Sequence, residues 1–370
     1  MIPLFKVSMS EKVIKPLNEV LLSGYIGQGK KVEELESILC NYFNNPFCIT
    51  LNSATSGLKL AYRLLNLQPG DEVLTTPLTC TATNWPILDN SLNIKWIDVD
   101  ETNCNLDLND LRRKISKNTK AICLVHWGGY PVDLNELKKI QKEAKSKFGN
   151  FIPIIEDCAH AMGSQFNKKM LGNHGNICVY SFQAIKHFTT GDGGLIILPN
   201  EELYKRAKML RWYGIDRETN SKDFRCEKDI KEWGYKYHMN DINATIGIHN
   251  FPLSLERSKK YIENSTYYDE QLKDVEKVTI LTKQKDRKSA CWIHTIKVKD
   301  RDLFMQLMKE KQIMVSKVHQ RNDIHSCVSK YKSLLPNLDK LSEEMICIPN
   351  GWWVTEEDRE YIISSIKEGW

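Results

Sequence analysis

The chain has 370 residues, 41% of them hydrophobic and 27% charged, an ordinary globular composition with enough apolar material for a large core and a second, smaller domain. Its 52 basic and 47 acidic residues nearly balance, to a net charge of +5 with no long basic run, which argues against a nucleic-acid or membrane partner. The 11 cysteines include no CxxC pair and no zinc-ligand spacing, so no metal site is expected, and a reducing cytoplasm is the natural compartment.

The opening MIPLFKVSMSEK is too short in its apolar part for a signal peptide, and no later stretch is long and apolar enough to span a bilayer. Short β-rich runs follow at 48–51, 73–76, 94–99, 121–126, 152–156, 177–182 and 195–198. Several are almost continuously apolar, as expected of strands covered on both faces. Helical spacing of apolar residues appears at 55–67, 106–115 and 134–144, with Asp107 and Asp133 as N-cap candidates. This alternation predicts an α/β domain with a mainly parallel sheet. The polar stretch 216–233 predicts a loop. After about residue 247 the texture changes. A long amphipathic helix at 251–272 leads to strands at 278–281 and 292–298 and helices at 303–311 and 356–368. The expected division is a large domain over 1–247 and a small α+β domain over 248–370.

Three segments carry chemistry in combination. An apolar strand ends in Glu156-Asp157-Cys-Ala-His160, and strand carboxyl ends in open α/β sheets are where ligands bind. Alone, it reads as a turn with solvated acids. The next strand runs into Ser181-Phe-Gln-Ala-Ile-Lys-His-Phe-Thr-Thr-Gly-Asp-Gly-Gly194. Alone, Lys186 there reads as a surface lysine in a glycine-rich turn. A lysine amine and a carboxylate from neighbouring strand ends are what pyridoxal phosphate chemistry requires: one forms the Schiff base, the other keeps the pyridine nitrogen protonated. The third segment, Leu51-Asn-Ser-Ala-Thr-Ser-Gly57, is a strand followed by small residues that open a helix, and a helix N-terminus offers amides to a phosphate.

Landmarks in one order then cover nearly the whole chain: MIPLFK, SGYIGQGKKVEELE (23–36), NSATSGLKLA (52–61), PGDEVLTTPLTCTAT (69–83), IDVDETNCNLD (97–107), VHWGGYPVDL (125–134), EDCAHAMGS (156–164), SFQAIKHFTTGDGG (181–194) and GYKYHMNDINATIG (234–247). With these the chain resembles the DegT/DnrJ/EryC1/StrS sugar aminotransferases. That resemblance implies an aspartate-aminotransferase-like fold of type I, with a mainly parallel seven-stranded sheet, helices on both faces and a small α+β C-terminal domain. It implies pyridoxal 5′-phosphate as cofactor, pyridoxamine 5′-phosphate as its amino-carrying intermediate, and Lys186 as the catalytic Schiff-base lysine. Asp157 would pair with the pyridine nitrogen and His160 would lie near the ring hydroxyl. Ser181 and the Ala54–Thr55 backbone would hold the phosphate, with Gln183 also lining the cofactor. Cys80 stands where relatives often carry an aromatic that stacks on the ring, with Trp85 as a nearby substitute. Lys236 stands where relatives carry an Asn that crosses to the partner's phosphate in a homodimer with its sites at the subunit interface.

For the substrate, the resemblance places Tyr25 in the segment lining the sugar pocket. Trp127 follows another strand end, and His319 and Arg321 could meet a phosphate or carboxylate, since Arg offers a bidentate fork. Arg211, Trp212 and Arg217 are further candidates. The implied reaction moves an amino group from an amino acid, L-glutamate by family habit, to a keto sugar, nucleotide-linked in most relatives, for surface-polysaccharide or amino-sugar biosynthesis. A small phosphorylated ketone resembling dihydroxyacetone phosphate, or a free keto sugar acid, is the alternative acceptor. A sugar dehydratase branch replaces the lysine with histidine, so Lys186 disfavours it even though His187 follows. A non-catalytic pyridoxal-binding regulator would not need the Lys186–Asp157 pair. A Rossmann dehydrogenase would need more than the lone Gly27-Gln-Gly29.

Overall fold

The structure, a computed structural model, describes residues 1–149, 151–217 and 229–370. Helices α1 (Ile14–Leu22) and α2 (Lys30–Phe43) lead into strands β1 (Cys48–Leu51), β2 (Glu72–Thr75), β3 (Asn93–Trp96), β4 (Thr119–Val125) and β5 (Ile154–Asp157). The short β6 (Gln165–Phe166) and β7 (Lys169–Met170) follow, then β8 (Ile177–Ser181) and β9 (Gly194–Ile197). Seven of these form one sheet in the order β1-β9-β8-β5-β4-β2-β3, parallel from β8 through β3, with β9 antiparallel to both its neighbours. Strands β1, β5 and β9 are buried at every position, the signature read from their unbroken apolar runs.

Parallel neighbours need crossovers, and helices supply them. They are α3 (Ala54–Leu64), α4 (Thr81–Asp89), α5 (Leu108–Lys114) and α6 (Leu134–Phe148), with α7 (Glu201–Arg211) after the last strand. Asp107 and Asp133 cap α5 and α6 as expected, accepting from the amides of Asn109 and Glu136. Leu106, expected inside a helix, instead bridges to Val99, because the Asp107 cap sets the first turn beyond it. Helix α4 was not anticipated: Pro86 in its middle reads as a breaker, yet the helix runs through it.

The long helix, α8 (Asp241–Leu272), starts well before the expected residue 251, capped by Asn240, and it runs unbroken across the expected boundary at 247. Beyond it lie β10 (Val278–Ile280), β11 (Arg287–Lys288), β12 (His294–Val298), α9 (Arg301–Glu310), α10 (Pro336–Glu344), β13 (Met345–Ile348) and α11 (Glu356–Lys367). Strands β10, β12 and β13 make an antiparallel sheet. Strand β11 pairs instead with β6, tying this part to the large sheet's loops. The expected strand at 292 begins only at His294, because Cys291 takes a left-handed turn (φ 54°) and the Trp292 amide bonds to the Gly128 carbonyl. The loop expected over 216–233 lies largely outside the described residues.

Asp98 is the clearest single tie between the two parts. Buried after β3, it accepts from the amides of Val99, Asn337 and Leu338, each at 2.9 Å, so it caps α10 across the chain. Asp98→Ala leaves these amides without an acceptor and is expected to cost about 2–3 kcal/mol, read as a lower midpoint of urea denaturation.

Candidate active site

The parallel strands deliver their carboxyl ends to one edge of the sheet, and side chains alternate between faces along each strand. At the end of β5 this alternation separates the two carboxylates. Glu156, fully buried, meets His126 Nε2 at 2.8 Å and accepts from Asn176 Nδ2 at 2.6 Å. The Val132 amide donates to His126 Nδ1 at 3.0 Å, so the ring proton sits on Nε2 and is given to Glu156. Glu156 is therefore committed to packing. Asp157 turns to the other face. It accepts from Thr83 Oγ1 at 2.7 Å and from the Ala159 amide at 2.9 Å. Burial raises its pKa, and those two donors oppose the rise.

Lys186 lies in the turn after β8, where Gln183 folds its own loop by accepting from the amides of Ile185 (side chain, 3.1 Å) and Lys186 (carbonyl, 3.0 Å). The lysine amine rests 3.6 Å above the Trp292 ring. Trp292 is itself fixed by its Nε1 donating to the Ile185 carbonyl at 3.0 Å. Loss of water lowers the Lys186 pKa to about 8, against the opposing pull of Asp157 and Cys80. An ordinary lysine is fully protonated at that pH. Here a substantial fraction is the free, nucleophilic amine.

His160 stacks on Trp292 at 4.0 Å, and His319 lies parallel to His160 at 5.6 Å. Trp127 meets both histidines edge-on, at 6.1 and 6.0 Å, and its Nε1 is tied to Thr295 Oγ1. Desolvation and the nearby Lys186 hold both imidazoles in the neutral form, His319 down to about 4. His160 Nδ1 and His319 Nε2 are buried without a partner.

The expected phosphate cup lies beside this cluster. Ser53 caps α3 by accepting from the Ser56 amide, which leaves the first-turn amides of Ala54 and Thr55 with no partner inside the helix. Ser181 faces Gly194 across the β8–β9 ladder. A Cβ on Gly194 would sit 2.6 Å from the Ala54 nitrogen, so only glycine lets α3 start against this strand pair.

Other expected residues are placed differently. Cys80 stands at the N-cap of α4, near enough to act on Lys186. Trp85 meets His325 edge-on. Tyr25 is 84% exposed. Lys236 is exposed, its carbonyl accepting from Asn52 Nδ2 just before the cup. The Arg321 fork is occupied by Asp323 and Asp339, while its neighbour Asn322, fully buried, bonds to Asn84 and to the Thr79 carbonyl. Arg211 is buried in an ion pair with Glu36. With Trp212 and Arg217 it lines a separate cavity of about 500 Å³ that shares no residue with the Lys186 cluster. Two contributors were missed by sequence reasoning. Thr83 sits inside a quoted landmark, where a hydroxyl one helical turn past Cys80 was the available signal. Trp292 had none, since its run reads simply as strand.

Residues 7–367 match the model of the DegT/DnrJ/EryC1/StrS aminotransferase family. The structure is similar to that of AtS13 from Actinomadura melliaura, with a TM-score of 0.97 and 46% identity over 100% of this chain and 99% of that one. It is also similar to the sugar aminotransferase CalS13 from Micromonospora echinospora, with a TM-score of 0.96 and 43% identity over the whole of both. In sequence it is 29% identical to the UDP-4-amino-4-deoxy-L-arabinose–oxoglutarate aminotransferase of Shewanella sediminis, over 99% of this chain and 97% of that protein.

Aminotransferases of that family use pyridoxal 5′-phosphate, and the residues here fit it. The chain supplies a desolvated amine within the field of a buried carboxylate and of two neutral histidines, each with one ring nitrogen buried without a partner, and helix amides with no partner inside α3. Two outcomes follow. In cofactor-free protein, amine-reactive labelling of Lys186 should rise through about pH 8, not the range of about 10.4 typical of lysines, as read by mass spectrometry of the labelled peptide. Since the folded pKa lies below the unfolded one, Lys186 also makes stability rise with pH between those two values. Gly194→Ala should push α3 from the cup and weaken pyridoxal phosphate binding on the order of tenfold, about 1.4 kcal/mol, measured by titrating the cofactor into apoprotein.

Proposed function

Because the chain belongs to the DegT/DnrJ/EryC1/StrS aminotransferase family, we propose that this pyridoxal-phosphate-dependent aminotransferase moves an amino group from L-glutamate to a nucleotide-linked keto sugar, in amino-sugar or surface-polysaccharide biosynthesis. The observation that carries this reading is the buried Asp157 carboxylate together with an amine, Lys186, desolvated on the Trp292 ring. When bound, the cofactor supplies an electron sink for the carbanion left at a deprotonated carbon. The rest falls to the protein. Asp157 holds a proton at the ring nitrogen. Lys186 Nζ takes the proton from the donor's α-carbon and returns a proton to the acceptor's carbon in the reverse sense. Trp292 keeps water from that amine, and the Ala54 and Thr55 amides with Ser181 orient the phosphate.

The names of the relatives, a UDP-sugar aminotransferase among them, support a nucleotide-linked acceptor. The Arg321 fork is held by two acids, which removes the support it lent to a small phosphorylated ketone. The enzyme acts as a homodimer: Leu22, Tyr25 and Trp233 are 79%, 84% and 61% exposed on the single chain, and a second copy covering them would bring Lys236 to its partner's site. The described cysteines are free, and no described helix is long and apolar enough to cross a membrane; the reading of a reducing cytoplasm rests on the former.

Adding L-glutamate to the holoenzyme should replace the pyridoxal absorbance by that of the pyridoxamine form, and a nucleotide-linked keto sugar should restore it. Lys186→Ala should slow the conversion at least about a hundredfold while near-ultraviolet circular dichroism shows the fold intact. Absence of any spectral change with amino donors would sink the transamination reading.

A further inference from the structure

The N-terminal arm is pinned at both ends. Ile2 exchanges backbone bonds with Gln312 and Met314 at 2.8 and 3.0 Å, and the Pro3 carbonyl accepts from Trp353 Nε1 at 2.8 Å. Further along, the fully buried Asn250 of α8 donates to the Ser8 carbonyl and accepts from the Ser10 amide, both at 3.1 Å. Between these anchors Phe5 stacks on Trp292 at 5.2 Å, the same indole that carries the Lys186 amine.

Asn250 makes a third bond. Its Nδ2 also donates to the Thr189 carbonyl at 3.1 Å, in the turn that carries Lys186. One buried amide therefore clasps the arm and the lysine turn together, and a fully satisfied buried network of this kind is rigid. Two further bonds hold the turn: Trp292 Nε1 donates to the Ile185 carbonyl, and His187 Nε2 donates to the Ala290 carbonyl, each at 3.0 Å. Lys186 thus stands between neighbours that are anchored on both sides. The titratable groups coupled to its amine are Asp157, Cys80, His160, His187 and His319. None of them belongs to the arm, so the arm acts on the amine through cover and placement rather than through charge.

We infer that the N-terminal arm is a positioning element for the reacting lysine, with Phe5 covering the Trp292 platform and Asn250 joining the arm to the turn. This rests on the reading above that Lys186 is the amine that moves the proton. Neither Phe5 nor Asn250 touches the reacting atoms. Phe5 helps to hold the indole in place and keeps water from it, and the dry indole in turn favours the neutral amine. Asn250 fixes the distance between the arm and the turn, so that the two move as one body.

Amine-reactive labelling of Lys186 in cofactor-free protein, followed against pH by mass spectrometry, reads the cover. In Phe5→Ala the labelling midpoint should rise above that of the wild type by roughly half a unit to one unit, as water reaches the platform. Phe5→Leu, which restores apolar cover, should recover most of the shift. Asn250→Ala should move the midpoint in the same direction. In pyridoxal-phosphate-loaded enzyme, single-turnover conversion with L-glutamate should slow roughly three- to tenfold in Phe5→Ala, with the half-saturating glutamate concentration unchanged. Phe5 is only half-buried, so Phe5→Ala decides the matter even if Asn250→Ala fails to fold. A lower melting temperature in Phe5→Ala with the wild-type midpoint and rate is what a merely structural arm gives, and it overturns the inference. Absence of glutamate conversion in the wild type would instead overturn the aminotransferase reading, and the labelling, which needs no turnover, would still report on the arm.

Discussion

The site depends on keeping one amine dry. Lys186 follows a strand that ends at solvent, where a lysine is ordinarily charged and hydrated. Trp292 removes the water from one side, while Asp157, itself buried, and Cys80 oppose neutralisation. Desolvation wins, and the result is an amine available as nucleophile and base near neutral pH. The neighbouring imidazoles respond to the same environment: His160 and His319 are held neutral by burial and by the lysine's charge, so their orphaned nitrogens are free to meet a ligand.

That dry environment needs both parts of the chain. Asp157, Thr83 and Lys186 come from the large sheet and its crossovers, whereas Trp292, His319 and Asn322 come from the region after α8. The joints between them are buried polar bonds: Trp292 to Gly128 and Ile185, Asn322 to Asn84 and Thr79, Asp98 to the start of α10. Bonds of this kind are directional and costly to leave unmade. They set where the second part sits more sharply than apolar contact does. The N-terminal arm adds a third layer, laying Phe5 on Trp292.

Much of this was legible in the residue order. The apolar runs at 48–51, 73–76, 121–126 and 177–182 each overlap a strand of the seven-stranded sheet, because strands covered on both faces are apolar along most of their length. Asp107 and Asp133 announced their helices through side chains that can cap an amide. The errors also have causes. Helix α4 was not legible because Pro86 stands inside it, and proline ordinarily interrupts a helix. The amphipathic pattern was read only from residue 251, while the helix begins at Asp241, capped by Asn240.

The sequence by itself determined the chemistry's ingredients: a lysine past one strand end, a carboxylate at another, a helix opened by small residues, and the landmarks of a family. These are local patterns, dictated by strand period, capping and backbone freedom. The resemblance had already pointed to Asp157; tertiary structure alone supplied the physical reason that Glu156 is not available, since it is claimed by His126 and Asn176. It also decided that Arg321 is spent on Asp323 and Asp339, and that Trp292, distant in sequence, lies under the lysine. Burial and partner choice come from chain segments that meet only on folding, and no pattern of spacing along the chain contains them.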